Sequence, residues 1–298
     1  MREDSLSPSR SWLTALALAG IALTALVACG SRTDIDLVRG ASSGPRGAPD
    51  GSAFPVDAGN TDATTRCGDG GPSAVAYVLD DVGNLYQYFP STGQEVLLGT
   101  PNCGDSSIQW TMTAGRDHAY IVYTDWTMYS VDLTTLVCSP TPFVAGQLGL
   151  DDDFGVALTG SGSSERIYYY GIPSGSSTAI LAVSDTVSFT LSMIGTVDPM
   201  MPNATLFGVN ITSDNQGHLF AYAPEGYLLE IDPATAAVLL AVEAPVSNAP
   251  YATLAFEGSV YLFSSQVVSR YEPPLPNPIS SLTVDAGAVG AGSYVICP

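Results

Sequence analysis

The 298-residue chain carries a formal charge of −20, and its 46% hydrophobic and 13% charged residues supply a core under a surface of uncharged polar groups. Its nine basic residues are all arginine. Nucleic-acid binding is excluded as a function because it needs a basic face, and an anionic membrane surface would repel so acidic a body. The length allows one large or two small domains.

The chain opens with a tripartite segment. Arg2 and Arg10 flank a polar start, Trp12 to Ala28 runs without a charge, and Ala28 precedes Cys29. A run of this length suits a membrane helix or a cleavable export signal. Leu26-Val27-Ala28-Cys29 resembles the lipobox of bacterial lipoproteins. The resemblance implies that residues 1–28 are removed and that Cys29, lipidated on sulfur and acylated on its amine, becomes the first mature residue. Several acyl chains anchor firmly where one alone is marginal. The next residues, Gly30 and Ser31, lack the aspartate that retains enteric lipoproteins at the inner membrane. In a Gram-negative cell the expectation is therefore the outer membrane.

Residues 30–66 are rich in Gly, Ala, Ser, Thr, Asp and Pro, as in "GASSGPRGAPDGSA". Such a stretch buries too little apolar surface to offset its ordering entropy and reads as a flexible linker. Its reach is on the order of 35 Å. Four arginines and five aspartates leave it near neutral, whereas residues 67–298 hold three arginines against twenty-two acids. The acidity belongs to the body.

From residue 67 the chain repeats. An aromatic-apolar strand, a turn, a second aromatic strand and an Asp or Ser turn recur from Val75, His118, Arg166, His218 and Ser259. The aligned aromatics Tyr77, Tyr120, Tyr168, Phe220 and Tyr261 are spaced by 43, 48, 52 and 41 residues. Period-2 alternation broken by Gly, Asn, Asp or Pro predicts β-hairpins, and no stretch after residue 30 has sustained helical periodicity. Repeats of about 40–50 residues built from short strands are the signature of propeller blades.

A further strand precedes four of the hairpins, at 109–113, 154–159, 206–212 and 251–256. The first hairpin lacks one, because "CGDGGPS" at 67–73 cannot supply it; "GSYVIC" at 292–297 can. The expectation is an all-β, five-bladed propeller closed by its C-terminal strand, an arrangement that hides sheet edges. An open two-sheet sandwich is the rival, and a sixth, degenerate blade an alternative.

The body holds four cysteines, Cys67, Cys103, Cys138 and Cys297. An exported protein with an even number of them is expected to form disulfides. Ring closure joins Cys67 to Cys297 and leaves Cys103 with Cys138; four free thiols are the alternative. No CxxC or HxxxH spacing suggests a metal site, so no cofactor is expected beyond the lipid on Cys29.

The stretches "LGTPNCGDSS", "YIVYTDWTMYSVDLTTLVCSPTPFVAGQ", "LLEIDPATA" and "VGAGSYVICP" resemble a set of uncharacterised lipoproteins of myxobacteria, over about residues 75–298. The resemblance implies a propeller-like repeat domain and an envelope address, and carries no activity. The chain departs from that pattern in length around residues 150–205.

Candidate chemistry is sparse. His118 and His218 occupy the same slot of the repeat, which points to a structural role. "SGSGSSE" lacks the strand-turn-helix context of a nucleophile elbow. Asp151-Asp152-Asp153 and "SDNQG" at 213–217 are oxygen-rich turns that could take calcium, although neither has EF-hand spacing and both read as solvated loops. Trp110 and Trp126, with Tyr123 and Tyr129 nearby, are either core or an adhesive surface. Trp110, Trp126, Asp151, Asp152 and Asp153 are thus the candidate ligand surface, and no residue is assigned to catalysis. The expected function is a monomeric, membrane-tethered binding or scaffold module for a protein or glycan. The alternative is a lipid-anchored hydrolase or lyase acting on a glycan or other envelope substrate at the propeller's channel mouth.

Overall fold

The computed structural model describes residues 73–104, 107–152, 154–160, 162–198, 210–214, 217–223, 226–245, 252–264, 266–275, 277–284 and 287–296, all within one compact unit, Asn60–Pro298. The expected signal segment and linker, with Cys29, Cys67, Asp153 and Cys297, lie outside the described residues.

The described residues form twenty strands, numbered in chain order. They are β1 (Ser73–Asp80), β2 (Leu85–Phe89), β3 (Gln94–Gly99), β4 (Gln109–Ala114), β5 (His118–Tyr123), β6 (Met128–Asp132) and β7 (Cys138–Pro140). There follow β8 (Phe154–Thr159), β9 (Arg166–Gly171), β10 (Ala179–Asp185), β11 (Ser192–Val197), β12 (Asn210–Ser213), β13 (Leu219–Ala223) and β14 (Tyr227–Ile231). The last are β15 (Val238–Glu243), β16 (Ala252–Phe256), β17 (Ser259–Ser264), β18 (Val267–Tyr271), β19 (Ser280–Thr283) and β20 (Ala288–Ile296). They assemble into five four-stranded antiparallel sheets, four of them consecutive meanders and the fifth ordered β20-β1-β2-β3. The protein is a five-bladed β-propeller, and its last strand completes the first blade, with Ser73 opposite Ile296 and Tyr77 opposite Gly292. That strand begins at Ala288, four residues before the expected start, because "AVGAG" has the small residues of a loop yet pairs with β1.

Each seam between blades holds its own apolar cluster. Leu79, Met112, Ile121 and Val131 fill the first, and Val122, Phe154, Val156 and Tyr169 the second. Leu181, Leu219 and Leu229 fill the third, Phe220, Leu262 and Tyr271 the fourth, and Val78, Tyr88, Leu254 and Phe263 the fifth. The inner strands of each sheet are therefore buried on both faces, and for this reason β5, β8 and β13 read as continuous apolar runs.

The inner strands β20, β4, β8, β12 and β16 touch in a cycle. Their free edges would leave backbone groups unpaired. Hydroxyls from neighbouring blades satisfy several of them. The Leu158 amide donates to Thr113 Oγ1 at 2.8 Å, and the Leu158 carbonyl accepts from Ser213 Oγ. The Ala255 amide donates to Thr212 Oγ1 at 3.1 Å, and its carbonyl accepts from Ser293 Oγ at 2.6 Å. These four bonds cross four of the five seams.

Successive turns of an antiparallel meander alternate between the two faces of the ring. The turns leaving the inner strands and the turns joining third to fourth strands share one face, here called lower. The turns joining second to third strands and the links between blades share the upper face. On the lower face one turn recurs, Asp-x-x-Thr/Ser at Asp132, Asp185 and Asp232. Asp132 Oδ1 accepts the Thr134 and Thr135 amides at 2.9 and 2.7 Å. Asp185 Oδ1 accepts those of Val187 and Ser188 at 2.8 and 2.6 Å, and Asp232 Oδ1 accepts that of Ala234 at 2.8 Å. A hydroxyl from Thr135, Ser188 or Thr235 completes each turn. This is the Asx-turn chemistry by which a short acidic side chain stands in for backbone.

Candidate functional site

Two places on the ring gather chemistry-bearing side chains. The first is on the lower face. His218 Nδ1 and Asp214 Oδ2 lie 2.8 Å apart, and Asp214 Oδ1 also accepts the His218 amide at 2.9 Å. The Asp214 side chain is 9% exposed and that of His218 48%. The pair closes the β12–β13 turn. His118 begins β5 at the equivalent slot, with Arg166 and Ser259 in the same slot of two other blades. Among the described residues no hydroxyl or thiol is hydrogen-bonded to either histidine, so no nucleophile is poised beside a base. Near His118, Glu165 is half-buried, and burial holds its carboxyl above the usual range against the opposing pull of His118. No group of three or more potential metal ligands occurs among the described residues.

The second place is on the upper face at the seam of the second and third blades. The tight turn from β5 to β6 places Trp126 at φ 65° with its amide donating to Tyr123 O at 2.8 Å. The matching turns of two other blades put glycine there, Gly83 at φ 89° and Gly226 at φ 92°. A bulky residue in the left-handed region costs roughly 1–2 kcal/mol. What offsets it is packing: the Trp126 ring lies 5.3 Å from that of Phe154 and meets Trp110 edge-on at 5.8 Å. Trp110 comes from the start of β4, and its indole Nε1 donates to Phe154 O at 3.3 Å, which fixes the ring's orientation. Ile108 pairs with Thr124 through the Thr124 amide at 2.8 Å, bringing it beside the same turn.

The result is an exposed apolar surface on a rigid frame. Trp110 is 36% exposed, Ile108 64% and Val82, in the neighbouring upper turn of the first blade, 70%. Gln109, next to both Ile108 and Trp110, packs against Gly83 and joins that turn to the patch. Acidic residues adjoin its members along the chain: Asp125 directly precedes Trp126, and Asp151 and Asp152 lead into Phe154. Asp125 Oδ1 accepts the Thr127 amide at 3.0 Å and hydroxyl at 2.7 Å. Asp151 Oδ2 accepts Ser174 Oγ at 2.7 Å, and Asp152 is exposed two residues before Phe154.

Of the residues singled out in the sequence, Trp110 and Trp126 come into direct contact, and Asp151 and Asp152 lie on the link that leads into Phe154. Tyr123 is buried in the seam of the first and second blades, and Tyr129 packs edge-on against it at 5.4 Å. Nothing in the sequence marks Phe154, Ile108 or Val82 as part of a site. Phe154 is the shared floor of the site, but its sequence signal, an apolar strand start, is that of any core residue. Cys103 and Cys138 form a disulfide, with Cα atoms 5.0 Å apart.

No family model matches the chain, and no curated protein matches it. Among solved structures it is similar to the computationally designed Ika8 protein, at 11% identity and a TM-score of 0.39, over 72% of this chain and 61% of that one. It is also similar to a glutaminyl cyclase from Myxococcus xanthus, at 14% identity and a TM-score of 0.37, over 62% of this chain and 70% of that one. This chain thus spans less than two thirds of the Ika8 protein's length. Likeness at this level passes no function to this protein.

Proposed function

We propose that the protein is a lipid-anchored component of the bacterial cell envelope whose propeller is a binding module, presenting its upper face to a protein or glycan. One observation carries the binding role. Trp110, Ile108 and Val82 stand exposed on a scaffold whose every seam is packed and whose inner strands are stitched by buried hydrogen bonds. Aromatic side chains held on rigid elements make contact at low entropic cost. His218 is paired with Asp214, and no hydroxyl or thiol among the described residues is hydrogen-bonded to either histidine, which favours binding over hydrolysis. The anchor rests on Leu26-Val27-Ala28-Cys29, and the expected site is the outer membrane if the cell is Gram-negative.

Two experiments test this. Cys29→Ser should abolish acyl labelling and release the protein from the membrane fraction; unchanged labelling and retention would sink the anchor. For the binding role, wild-type protein and Trp110→Ala should be compared as baits against envelope extract and a glycan array. A ligand held by the first and lost from the second supports the module. Identical profiles remove the upper face from consideration.

A further inference from the structure

We infer that the upper-face patch of Val82, Ile108, Trp110 and Trp126 docks a cationic protein segment, one that offers arginine or lysine side chains to Trp110 and the acids adjoining the patch. This deepens the proposed binding role and rests on it.

The argument is one of charge complementarity around an exposed aromatic. The body has five side chains able to carry positive charge, Arg116, Arg166, Arg270, His118 and His218. Arg116 lies in the β4–β5 turn, Arg166 and His118 open second strands, His218 directly precedes one, and Arg270 is one residue from the lower end of β18. All five therefore sit at or beside the lower face. The described charged groups at the upper turns, links and strand ends are acids: Asp80, Asp81, Asp125, Asp151, Asp152, Asp198 and Glu243.

Much of that acidity is uncommitted. Asp81 and Asp152 are exposed and make no side-chain hydrogen bond among the described residues, and Asp125 engages only Oδ1. A patch of this kind repels anionic glycans, acidic peptides and phospholipid headgroups. A neutral glycan would stack on Trp110 and leave the carboxylates idle. A cationic segment uses both features, since indole is the strongest aromatic partner for a guanidinium or ammonium and carboxylates pair with the same groups. The Nε1 bond to Phe154 O and the edge contact with Trp126 hold the Trp110 ring in place before any ligand arrives.

The test uses full-length, unlipidated protein (Cys29→Ser) and fluorescent twelve-residue peptides alternating Ala with Arg, Gln or Glu, read by anisotropy. The Arg peptide should bind, with affinity falling as salt rises, and the Gln and Glu peptides should not. Trp110→Ala, and separately Ile108→Ser, should weaken the Arg peptide at least tenfold. Ile108→Ser is included because an exposed side chain can be changed without disturbing the seam, and thermal melts check that both variants are folded. Asp125→Asn with Asp152→Asn should weaken binding by a similar factor, whereas Asp117→Asn with Glu257→Gln, the same charge change on the lower face, should alter it less than twofold. Equal losses from the two charge pairs would mean diffuse attraction to an acidic protein and would overturn the inference. Failure of the Arg peptide, while a neutral glycan or another protein still requires Trp110, would overturn the cationic partner and leave the binding module standing. If no ligand depends on Trp110, both fall together.

Discussion

Gly292 and Ala114 meet backbone to backbone: a Cβ built on Gly292 would overlap the Ala114 nitrogen. Two residues earlier, a Cβ on Gly290 would lie 2.6 Å from both the nitrogen and the Cβ of Met112. Here the last strand to join the ring presses against the second blade, at the one seam that the hydroxyl bonds described above do not cross. Gly292→Ala should therefore force β20 and β4 apart. Because the clash is with backbone, no rotamer change relieves it, and the expected loss is about 1–3 kcal/mol or more. Gly287→Ala is the matched control, since nothing lies within 4 Å of its Cβ position and its φ is ordinary. Denaturant midpoints measure both, and equal midpoints would show that the seam can open at no cost.

Leu158 tests the stitching. Its amide needs Thr113 and its carbonyl needs Ser213. Thr113→Val keeps the shape and removes the acceptor; Ser213→Ala removes the donor. Each leaves a buried backbone group unpaired and should cost about 1–3 kcal/mol. Both bonds hold one residue between two blades, so the double variant should depart from additivity. A strictly additive cycle would mean that the two seams yield independently.

Much of this ring was legible. Hairpins show in sequence because their strands are buried on both faces and carry aromatics at fixed spacing, from Tyr77 to Tyr261. The C-terminal strand was legible by elimination, since residues 67–73 offer no partner for the first hairpin. The outermost strands were not. β3 and β19 are mostly exposed, and β7 is only Cys138–Pro140, so neither alternation nor apolar content marks them. β12 begins at Asn210, inside the expected 206–212, and residues 206–209 fall outside the described ones. The glycines of β20 read as loop because sequence reveals their flexibility and hides the close approach that requires them. At the candidate site, Trp110 and Trp126 could be named but not joined. Their contact depends on the β4–β5 register and on a left-handed turn residue that sequence rules assign to glycine.

The acid response of the fold has two opposing parts. Backbone and hydroxyl hydrogen bonds hold Asp132, Asp185 and Asp232 below the usual carboxylate range. Their stabilising contribution is complete above the unfolded value, about pH 4, and is lost as pH falls through their folded values. Glu165 runs the other way. Burial raises its carboxyl, so above about pH 4 its ionisation increasingly opposes folding until its folded value is passed. Glu165→Gln should therefore leave stability near pH 3 unchanged and increase it at pH 7. Asp185→Asn should do the reverse, costing stability at pH 7 and little near pH 2. Urea midpoints across pH 2–8 measure both, and a Gln variant no more stable at pH 7 than the parent would refute the assignment.

The termini supply the last prediction. Cys103 and Cys138 are paired with each other, and Cys29 is the residue proposed to carry the lipid. That leaves Cys67 and Cys297 as the body's only other thiols. The pairing of Ser73 with Ile296 brings the chain on either side of the first blade's seam to the lower end of the ring. Cys297 follows Ile296 directly, and Cys67 is six residues before Ser73, a distance that one turn can close. A disulfide between them would clip the seam where peeling of β20 would expose two sheet edges. It would enclose nearly the whole body, and the chain-entropy account assigns such a loop roughly 5 kcal/mol, against about 4 kcal/mol for the shorter loop between Cys103 and Cys138. Non-reducing peptide mapping should recover the Cys67 peptide joined to that of Cys297. Cys297→Ser should then lower stability more than Cys138→Ser does. A free thiol at Cys67 in protein prepared under oxidising conditions would rule out the clip and leave β20 held by its pairing with β1 and by the glycine contact with β4.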